Sequence, residues 1–575
     1  MARFNPQLKL ALLILSLVLA SACSDHDEPV SRIGDDLVLQ NAFVYTVDPE
    51  RREAQAVAIR DGRISYVGST EGAEAHIGTN TRVVDLGGRM LMPGFQDSHI
   101  HPLWAGLEAS ACDLNGLPGV AEYRQAIAAY AGANPDATWI LGGGWSMSEF
   151  GPGGVPNKDI LDEIVPDRPV YLTSADGHTG WANSAALEIA GITNDTPDPE
   201  DGRIDRDPET GEAIGSLQEG AMNLVAQHVP PTSLADRIAG LRYSVELLNS
   251  YGITSITDAI VNREELETYK ALEDRGELSL RVVASLWWER EQGLDQLPAL
   301  VALRDEYSDE LIDAATVKIM QDGVMENYTA AMLEPYLIPD GSRGIPMVEP
   351  EFLKEAVTAL DAEGFQVHFH AIGDAAVRQS LDAVEEALLE NGQLGHRHHI
   401  SHLQMIDPAD IPRFAELDVI ANFQPLWATA SKYVTELTVP FIGAERARWM
   451  YPIKSVLDTG AVVAFGSDWS VSTANPFPQM EVAITRKGED ENMEVLIPEE
   501  RIDLASALAA FTINAAFLNR HDDTTGSIEV GKLADLVVLD RNLFDIEPSA
   551  ISDTRVLVTL FGGREVHGAL DELEL

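Results

Sequence analysis

Histidines are the residues of this 575-residue chain whose spacing most clearly suggests chemistry. His99 and His101 lie two positions apart at the end of the segment 92–101, which leaves a predicted strand. On a strand, residues i and i+2 face the same side, so both imidazoles would point into one cavity. Neutral imidazole is the commonest metal ligand, and this pair could hold a single ion. Such a pair is weak evidence by itself, because two neighbouring histidines often face a core or the solvent.

Further candidate ligands lie at the ends of later predicted strands. His368 and His370 end one strand, a group of histidines that finishes at His402 follows one helix later, and Asp468 comes just past another strand end. Histidines from separate strands, together with one aspartate, are typical of a catalytic metal site that leaves a position open for water.

Short apolar strands alternate with amphipathic helices through residues 93–515, and this alternation must position the ligands. Helical stretches such as Glu351–Glu363 and Ala375–Asn391 separate the strands. The strand-like runs are Ile253–Ile256, Leu280–Leu286, Ala315–Met320, Phe365–Phe369, Val419–Phe423 and Val462–Phe465. The pattern predicts an α/β fold with a parallel sheet, and at this length a (β/α)8 TIM barrel. In such barrels the site forms at the C-terminal ends of the strands, where the candidate ligands lie.

Two further units are predicted around the barrel. The run from Pro102 to about Tyr251 is too long for one connection, so residues 102–250 are expected to hold an insertion over the barrel mouth. The terminal segments 37–92 and 516–575 are rich in β-type runs, including a hairpin at Asp61-Gly62. Neither segment makes a good core alone, so we expect them to pair into one small β-sandwich.

Several motifs resemble those of the amidohydrolase superfamily, within the family 3 branch that includes the N-substituted formamide deformylases. The similarity runs from about Leu37 to Val566, and it is specific for the branch but not for a substrate. The motifs are Pro93-Gly94-Phe95 with Asp97, His99 and His101, then 317–323, His370-Ala371-Ile372-Gly373-Asp374, Gly466-Ser467-Asp468-Trp469, and 526–535.

The resemblance implies a role for each of these residues. His99 and His101 would bind the more buried of two divalent metal ions, most simply zinc, and His370 and His402 would bind the second. Lys318 would carry a CO2-derived carbamate that bridges the ions, because a bare ammonium cannot ligate a cation. Asp468 would ligate the first ion and move the proton between a metal-activated water and the leaving nitrogen.

Other polar residues have weaker assignments. Within the motif Ala175-Asp176-Gly177-His178, His178 is expected to contact the substrate or the oxyanion, which makes it a second catalytic candidate. Lys318 has an alternative as an ordinary lysine paired with Asp322, which would leave a single-metal site. Trp145 could be pocket wall or core. His368 is expected inside the barrel as a hydrogen-bonded residue, whereas His398 and His399 are expected to face solvent or to support the ligands. The histidines expected at the surface or in structural roles are His26, His76, His228, His396, His521 and His567.

Two positions depart from the pattern of the branch. Ser401 stands before His402 where glutamate is common, so a partner that orients the imidazole would be missing. Ser470 follows Trp469 where proline is common. Neither change removes a candidate ligand.

The N-terminus and the charge indicate where the protein works. Arg3 and Lys9 precede the apolar run Leu10–Ala20, and Ser21-Ala22-Cys23 follows, which is the layout of an export signal over residues 1–23. The small residues before Cys23 resemble a bacterial lipoprotein processing site, with plain cleavage as the alternative, and a polar linker fills residues 24–36. We therefore expect an exported protein, periplasmic or anchored to the outer membrane by lipid at Cys23. With 40 Lys+Arg against 92 Asp+Glu, the net charge of −52 excludes a nucleic-acid partner.

These features predict an enzyme that hydrolyses a non-peptide C–N bond of an amide-like small molecule. The same site could act on an ester, a lactone or a cyclic imide. A surface lipoprotein that binds metal or ligand without turnover is a further alternative, but it would not need the proton-transfer group Asp468. No HExxH sequence indicates a peptidase.

Overall fold

The computed structural model describes residues 34–151, 153–488 and 492–574. The predicted export signal, Cys23, His26 and most of the linker lie outside these residues. Among the helices of the described part, none is long and apolar enough to cross a membrane.

Eight parallel strands form the central barrel, which confirms the predicted fold class. Each strand pairs with its neighbour in chain order. The strands are β1 (Phe95–Ile100), β2 (Ile253–Val261), β3 (Arg281–Trp287), β4 (Ile312–Met320), β5 (Gln366–Ala371), β6 (His399–His402), β7 (Ile420–Phe423) and β8 (Val463–Phe465). Their apolar residues and those of the surrounding helices form the largest hydrophobic cluster of the chain.

Helices cover the outside of the barrel. The helix Pro350–Ala362 illustrates the local signals that form them. Pro350 stands in its first turn, where proline costs no hydrogen bond. The Glu349 carboxylate accepts the N–H groups of Glu351 and Phe352. Its buried residues recur at helical spacing toward the sheet. The helices after the strands are Leu234–Ser250, Arg263–Glu273, Leu297–Tyr307, Pro350–Ala362, Asp374–Asn391, Ile411–Glu416, Val439–Ile442, Ala444–Ala447, Ile453–Leu457, Pro476–Thr485, Leu504–Ala510 and Ile513–Leu518.

The barrel closes between β8 and β1 through two backbone hydrogen bonds just beyond the strands. The N–H of Asp468 donates to the carbonyl oxygen of His99 at 2.7 Å, and the N–H of His101 donates to the carbonyl oxygen of Trp469 at 2.9 Å. Closure therefore brings the His99/His101 segment and Asp468 side by side.

The two termini build a β-sandwich beside the barrel, as expected. Its six-stranded sheet mixes both termini, since Met90–Pro93 pairs with Phe43–Asp48 on one side and Leu536–Leu539 on the other. That sheet also holds Arg51–Ala54, Val556–Phe561 and Arg564–His567; the second sheet holds Leu37–Gln40, Ala56–Arg60, Arg63–Gly68 and Arg82–Asp85, beside the short helix Thr70–Ala73. The predicted hairpin joins Ala56–Arg60 to Arg63–Gly68 through Asp61 and Gly62, both with positive φ.

A separate six-stranded sheet lies within residues 112–219. The flanking helices Pro102–Glu108 and Leu234–Ser250 of the 102–250 segment pack on each other, where a Cβ at Gly106 would lie 2.1 Å from the carbonyl oxygen of Gly240. Leu241, Val245 and Leu248 of the second helix join the barrel core. The strands of the sheet are Cys112–Asp113, Ile140–Trp145, Val170–Ser174, Thr179–Ala182, Gly202–Arg206 and Ala213–Glu219, with helices Val120–Ala133, Asp159–Ile164, Ser184–Ala190 and Asn223–Ala226.

Candidate metal centre and substrate cavity

A cavity of about 610 Å³ opens at the C-terminal ends of the barrel strands, between the barrel and the insertion. The structure brings every predicted ligand to its wall. These residues are His99, His101, Lys318, His370, His402 and Asp468, and His178 of the insertion joins them.

Three of the ligands converge most closely. One ligand atom each from His99, His402 and Asp468 lies within 4.8 Å of the other two, and all three residues are buried. His101 Nε2 lies 3.0 Å from Asp468 Oδ1, and His99 Nε2 lies 3.4 Å from the same oxygen. Although Asp468 Oδ1 is this close to two imidazoles, neither contact has the geometry of a hydrogen bond, and His402 Nδ1 is also buried without a hydrogen-bond partner. Buried polar atoms are normally satisfied, so this donor set fits a bound cation.

The protonation states also suit a cation. Burial lowers the pKa of His99 to about 3, with Lys318 adding to the effect, and burial holds the pKa values of His370 and His402 well below their usual range. Burial alone would raise the pKa of Asp468, but His99 and His101 hold it well below its ordinary value. At neutral pH these three imidazoles are therefore neutral and Asp468 is a carboxylate.

Lys318 is buried on β4 beneath these ligands, with 2% of its surface exposed. Its Nζ lies 3.5 Å from His368 Nε2. The alternative pairing with Asp322 is wrong, because Asp322 instead accepts the N–H groups of Ile372 and Gly373. Burial lowers the pKa of Lys318 to about 7, which leaves part of the amine neutral, the form that reacts with CO2.

Two ligands are oriented by partners on their second ring nitrogen. His370 Nδ1 lies 3.2 Å from Asp322 Oδ1, which directs its Nε2 toward the cavity. His99 Nδ1 is hydrogen-bonded to His368 Nε2 at 2.9 Å. Partners of this kind fix the tautomer and the ring orientation of metal-binding histidines. His368 is thus a hydrogen-bonded residue of the barrel interior, as predicted.

Of the two environments expected for His398 and His399, exposure to solvent is wrong, because both residues are buried. His398 is at the N-terminal end of the barrel, where its Nδ1 accepts the N–H of Val367 and its Nε2 lies 3.1 Å from Asp361 Oδ1. His399 begins β6 and is fully buried, with its ring centroid 4.2 Å from that of His368. Pairing of β6 with β5 places it there.

The two departures from the branch pattern have different surroundings. Ser401 Oγ lies 2.8 Å from His368 Nε2, so it does not orient His402. The His402 ring instead stacks on Trp427, with an interplanar angle of 5°. Ser470 Oγ donates to Glu108 Oε2 at 2.6 Å. This hydrogen bond connects the segment that follows β8 to the helix Pro102–Glu108.

His178 reaches the cavity from the insertion. Gly177, with a φ of +80°, lets the chain pass Trp104, from which a Cβ would be 2.6 Å away. The His178 ring centroid lies 5.2 Å from that of His370, and its Nδ1 lies 2.9 Å from Glu219 Oε2. Burial opposes charging of this ring, but Glu219 and Asp176 raise the pKa of His178 to about 9.

Comparison with known proteins agrees with this geometry. The sequence pattern described as "Amidohydrolase family" matches residues 82–567. The chain belongs to the amidohydrolase family.

Relatives of this amidohydrolase extend over most of its length. Protein LONG AFTER FAR-RED 3 of Arabidopsis thaliana is 33% identical, over 94% of this chain and 93% of the relative. N-substituted formamide deformylase of Arthrobacter pascens is 28% identical, over 92% and 97%. A crystal structure described as an uncharacterized metal-dependent hydrolase from Pyrococcus furiosus is 26% identical, with a TM-score of 0.67 over 88% of this chain and 99% of that one. These matches support a hydrolase, and they include a protein described as metal-dependent.

Two further residues of the amidohydrolase, Trp427 and Glu219, contact histidines of the site but were not singled out in the sequence. Trp427 lies just past the end of β7, and that position could have predicted that it lines the cavity. Glu219 gave no such signal, because it lies in the insertion and is far from its partners along the chain.

Trp145 is core rather than cavity wall, since it is fully buried and its Nε1 donates to the carbonyl oxygen of Leu172.

The position of Asp468 predicts a selective loss of turnover. Asp468→Asn keeps the shape of the side chain but removes its basicity, so kcat should fall about 10²–10⁴-fold while bound metal stays close to that of the unaltered amidohydrolase. Steady-state kinetics and metal analysis measure the two quantities. Asp458→Asn, at an exposed position, is the matched control. Near-normal turnover of Asp468→Asn would contradict its role in proton transfer.

Proposed function

We propose that this amidohydrolase cleaves a non-peptide C–N bond of a small, amide-like molecule. The observation that carries the proposal is the convergence of His99, His402 and Asp468 at the floor of a cavity that His178 overlooks. A binding protein would need the ligands, but it would not need a buried carboxylate available for proton transfer.

The donor set supports two divalent ions. His99, His101 and Asp468 would hold one ion, and His370 and His402 would hold the other, with a carbamate on Lys318 between them. Lys318 suits this role because it is buried among the ligands and has no carboxylate partner among the described residues. Zinc fits a set of imidazoles and carboxylates. When bound, the ions supply an activated water and polarise the carbonyl of the substrate.

The residues of the chain supply proton transfer and orientation. The Asp468 carboxylate accepts a proton from the attacking water and returns it to the leaving nitrogen. His178 Nε2, which is not engaged by Glu219, donates a hydrogen bond to the carbonyl oxygen. The insertion that carries His178 also shields the reacting bond from bulk water.

The cavity wall favours a neutral, largely apolar substrate. Its lining includes the aromatic rings of Trp104, Trp287, Trp427 and Tyr451. Lys318 and histidines are the only basic residues of the wall within the described chain, so a substrate carboxylate would find no arginine to pair with. Glu326 and Asp176 add negative charge. N-acylated or N-formylated amines therefore fit better than peptides or N-acyl amino acids, and the similarity to an N-substituted formamide deformylase points the same way.

A matched substrate series tests this proposal. Purified enzyme should hydrolyse N-formylbenzylamine at least about 10-fold more efficiently, in kcat/KM, than N-formylphenylglycine, which adds only a carboxylate. Amine release measures the reaction, and chelator-treated enzyme is the control. Preference for the carboxylate would contradict the assigned substrate class. Turnover of esters or lactones alone would contradict C–N bond cleavage, and turnover of cyclic imides alone would contradict an N-acylated amine as the substrate.

We also propose that the protein is exported and held at a membrane by lipid on Cys23. The support is the sequence of residues 1–23. Expression in a bacterium fed radiolabelled palmitate should give a labelled, membrane-associated protein, whereas Cys23→Ala should be unlabelled. Label-free protein in the periplasm would show plain cleavage instead, and full-length protein in the cytoplasm would contradict export.

A further inference from the structure

Glu326 is a buried carboxylate in the cavity wall that has no charged partner. It lies in the segment after β4, lines the cavity and is 6% exposed. Within the described part of the chain, no Lys, Arg or His side chain forms an ion pair with it, and its contacts are with Gln404 and Thr438. A buried carboxylate without a counter-ion is destabilising, so Glu326 needs a partner that the chain itself does not supply.

One oxygen of Glu326 is engaged by the protein and the other is not. Gln404 Nε2 donates to Glu326 Oε1 at 3.1 Å. Thr438 Oγ1 lies 3.1 Å from the same oxygen, although the carbonyl oxygen of Tyr433, at 2.9 Å, competes for its proton. No other described residue donates to Oε2. The oxygen that remains for a bound molecule is therefore Oε2.

The backbone around Glu326 is fixed from both sides of the cavity. Met325 and Tyr328 close a tight turn around it, with the N–H of Tyr328 donating to the carbonyl oxygen of Met325 at 3.1 Å. Within that turn, Asn327 Nδ2 donates to Gln218 Oε1 of the insertion at 2.8 Å. The carboxylate is thus positioned before any ligand enters, which reduces the entropy lost on binding.

Asp176 is a second acceptor in the same wall. Its Oδ1 accepts the hydroxyl of Ser174 at 2.6 Å and the N–H of His178 at 3.0 Å, whereas its Oδ2 is buried without a hydrogen-bond partner. Burial raises the pKa of Glu326, and the negative charge of Asp176 adds to the effect, so the two carboxylates are close enough to interact. Because buried polar atoms are normally satisfied, this part of the wall fits a ligand that donates hydrogen bonds.

The chemistry of the cavity favours a neutral donor. Two carboxylates would repel an anion, and they offer nothing to a group that only accepts hydrogen bonds. An ammonium group would cost more free energy to bury than a hydroxyl or an amide N–H, and the ions of the proposed function would repel it within the same cavity. Glu326 contacts none of the candidate metal ligands, so it meets a part of the substrate other than the reacting amide.

We propose that Glu326 is a specificity-determining residue whose Oε2 accepts a hydrogen bond from a neutral O–H or N–H group of the substrate, outside the reacting amide. This inference rests on the proposed function for the reaction, but binding of the donor group does not require turnover. Glu326 itself takes no part in bond cleavage.

Equilibrium binding of neutral alcohols tests the contact without any reaction. Benzyl alcohol and its 3- and 4-hydroxy and 3- and 4-methoxy derivatives contain no C–N bond, and they are titrated calorimetrically into the metal-loaded protein. At the better of the two ring positions, the hydroxy compound should bind about 10-fold more tightly than both the methoxy and the unsubstituted compounds. Equal binding of all these alcohols would overturn the proposal.

Glu326→Gln then shows whether the preference comes from this carboxylate. Gln404 Nε2 should hold the new carbonyl oxygen in the place of Oε1, which turns the amide NH2 group toward the cavity. The ratio of hydroxy to methoxy affinities should therefore fall to about 1 or below. Because this ratio is measured within one variant, a loss of folded protein does not change it. Glu334→Gln, at an exposed position of the same segment, is the matched control and should keep the preference. A preference that survives in Glu326→Gln would overturn the proposal.

Kinetics with the same substituents test selection during the reaction. The N-formylbenzylamine that carries the preferred hydroxyl should exceed its methoxy analogue about 10-fold in kcat/KM, and Glu326→Gln should remove this difference. Equal kcat/KM values in the unaltered enzyme would contradict a role in substrate selection. Failure of every formamide to turn over would count against the proposed function alone, since the binding of the alcohols stands apart from activity.

Discussion

Two backbone hydrogen bonds at the seam of the barrel hold three candidate metal ligands side by side. The N–H of Asp468 donates to His99, and the N–H of His101 donates to Trp469, where the last strand meets the first. These four residues include three candidate metal ligands, His99, His101 and Asp468. Folding of the barrel therefore assembles the ligands, because the bonds that close the sheet are made by the same short segments.

Burial then sets the chemistry of the ligands. Burial lowers the pKa values of His99, His370 and His402. Asp322, His368 and Trp427 hold the second nitrogen or the ring face of these three histidines. A bound cation would neutralise the buried Asp468 carboxylate and give the unpaired His402 Nδ1 a partner. The insertion supplies the opposite wall and, with it, His178, whose surroundings favour the charged form.

The sequence predicted much of this architecture, since strand ends, helix periodicity and ligand spacing are local signals. The barrel, the shared β-sandwich and the meeting of the ligands at one cavity follow from them. Strand β6 escaped prediction because its four residues, His399–His402, contain a single apolar side chain and read as a histidine cluster. Because this strand was not predicted, the burial of His398 and His399 was not predicted either. The contact of Glu219 with Thr329 and His178 depends on the packing of the insertion on the barrel, which no local pattern encodes.

Metal content per chain tests the central claim most directly. The protein is purified after expression with zinc and bicarbonate, beside Lys318→Ala, and bound metal is measured by mass spectrometry. The account predicts about two ions per chain, with fewer in Lys318→Ala. One ion regardless of Lys318 would contradict the carbamate-bridged pair. No bound metal after supplementation would contradict the metal-dependent hydrolase itself.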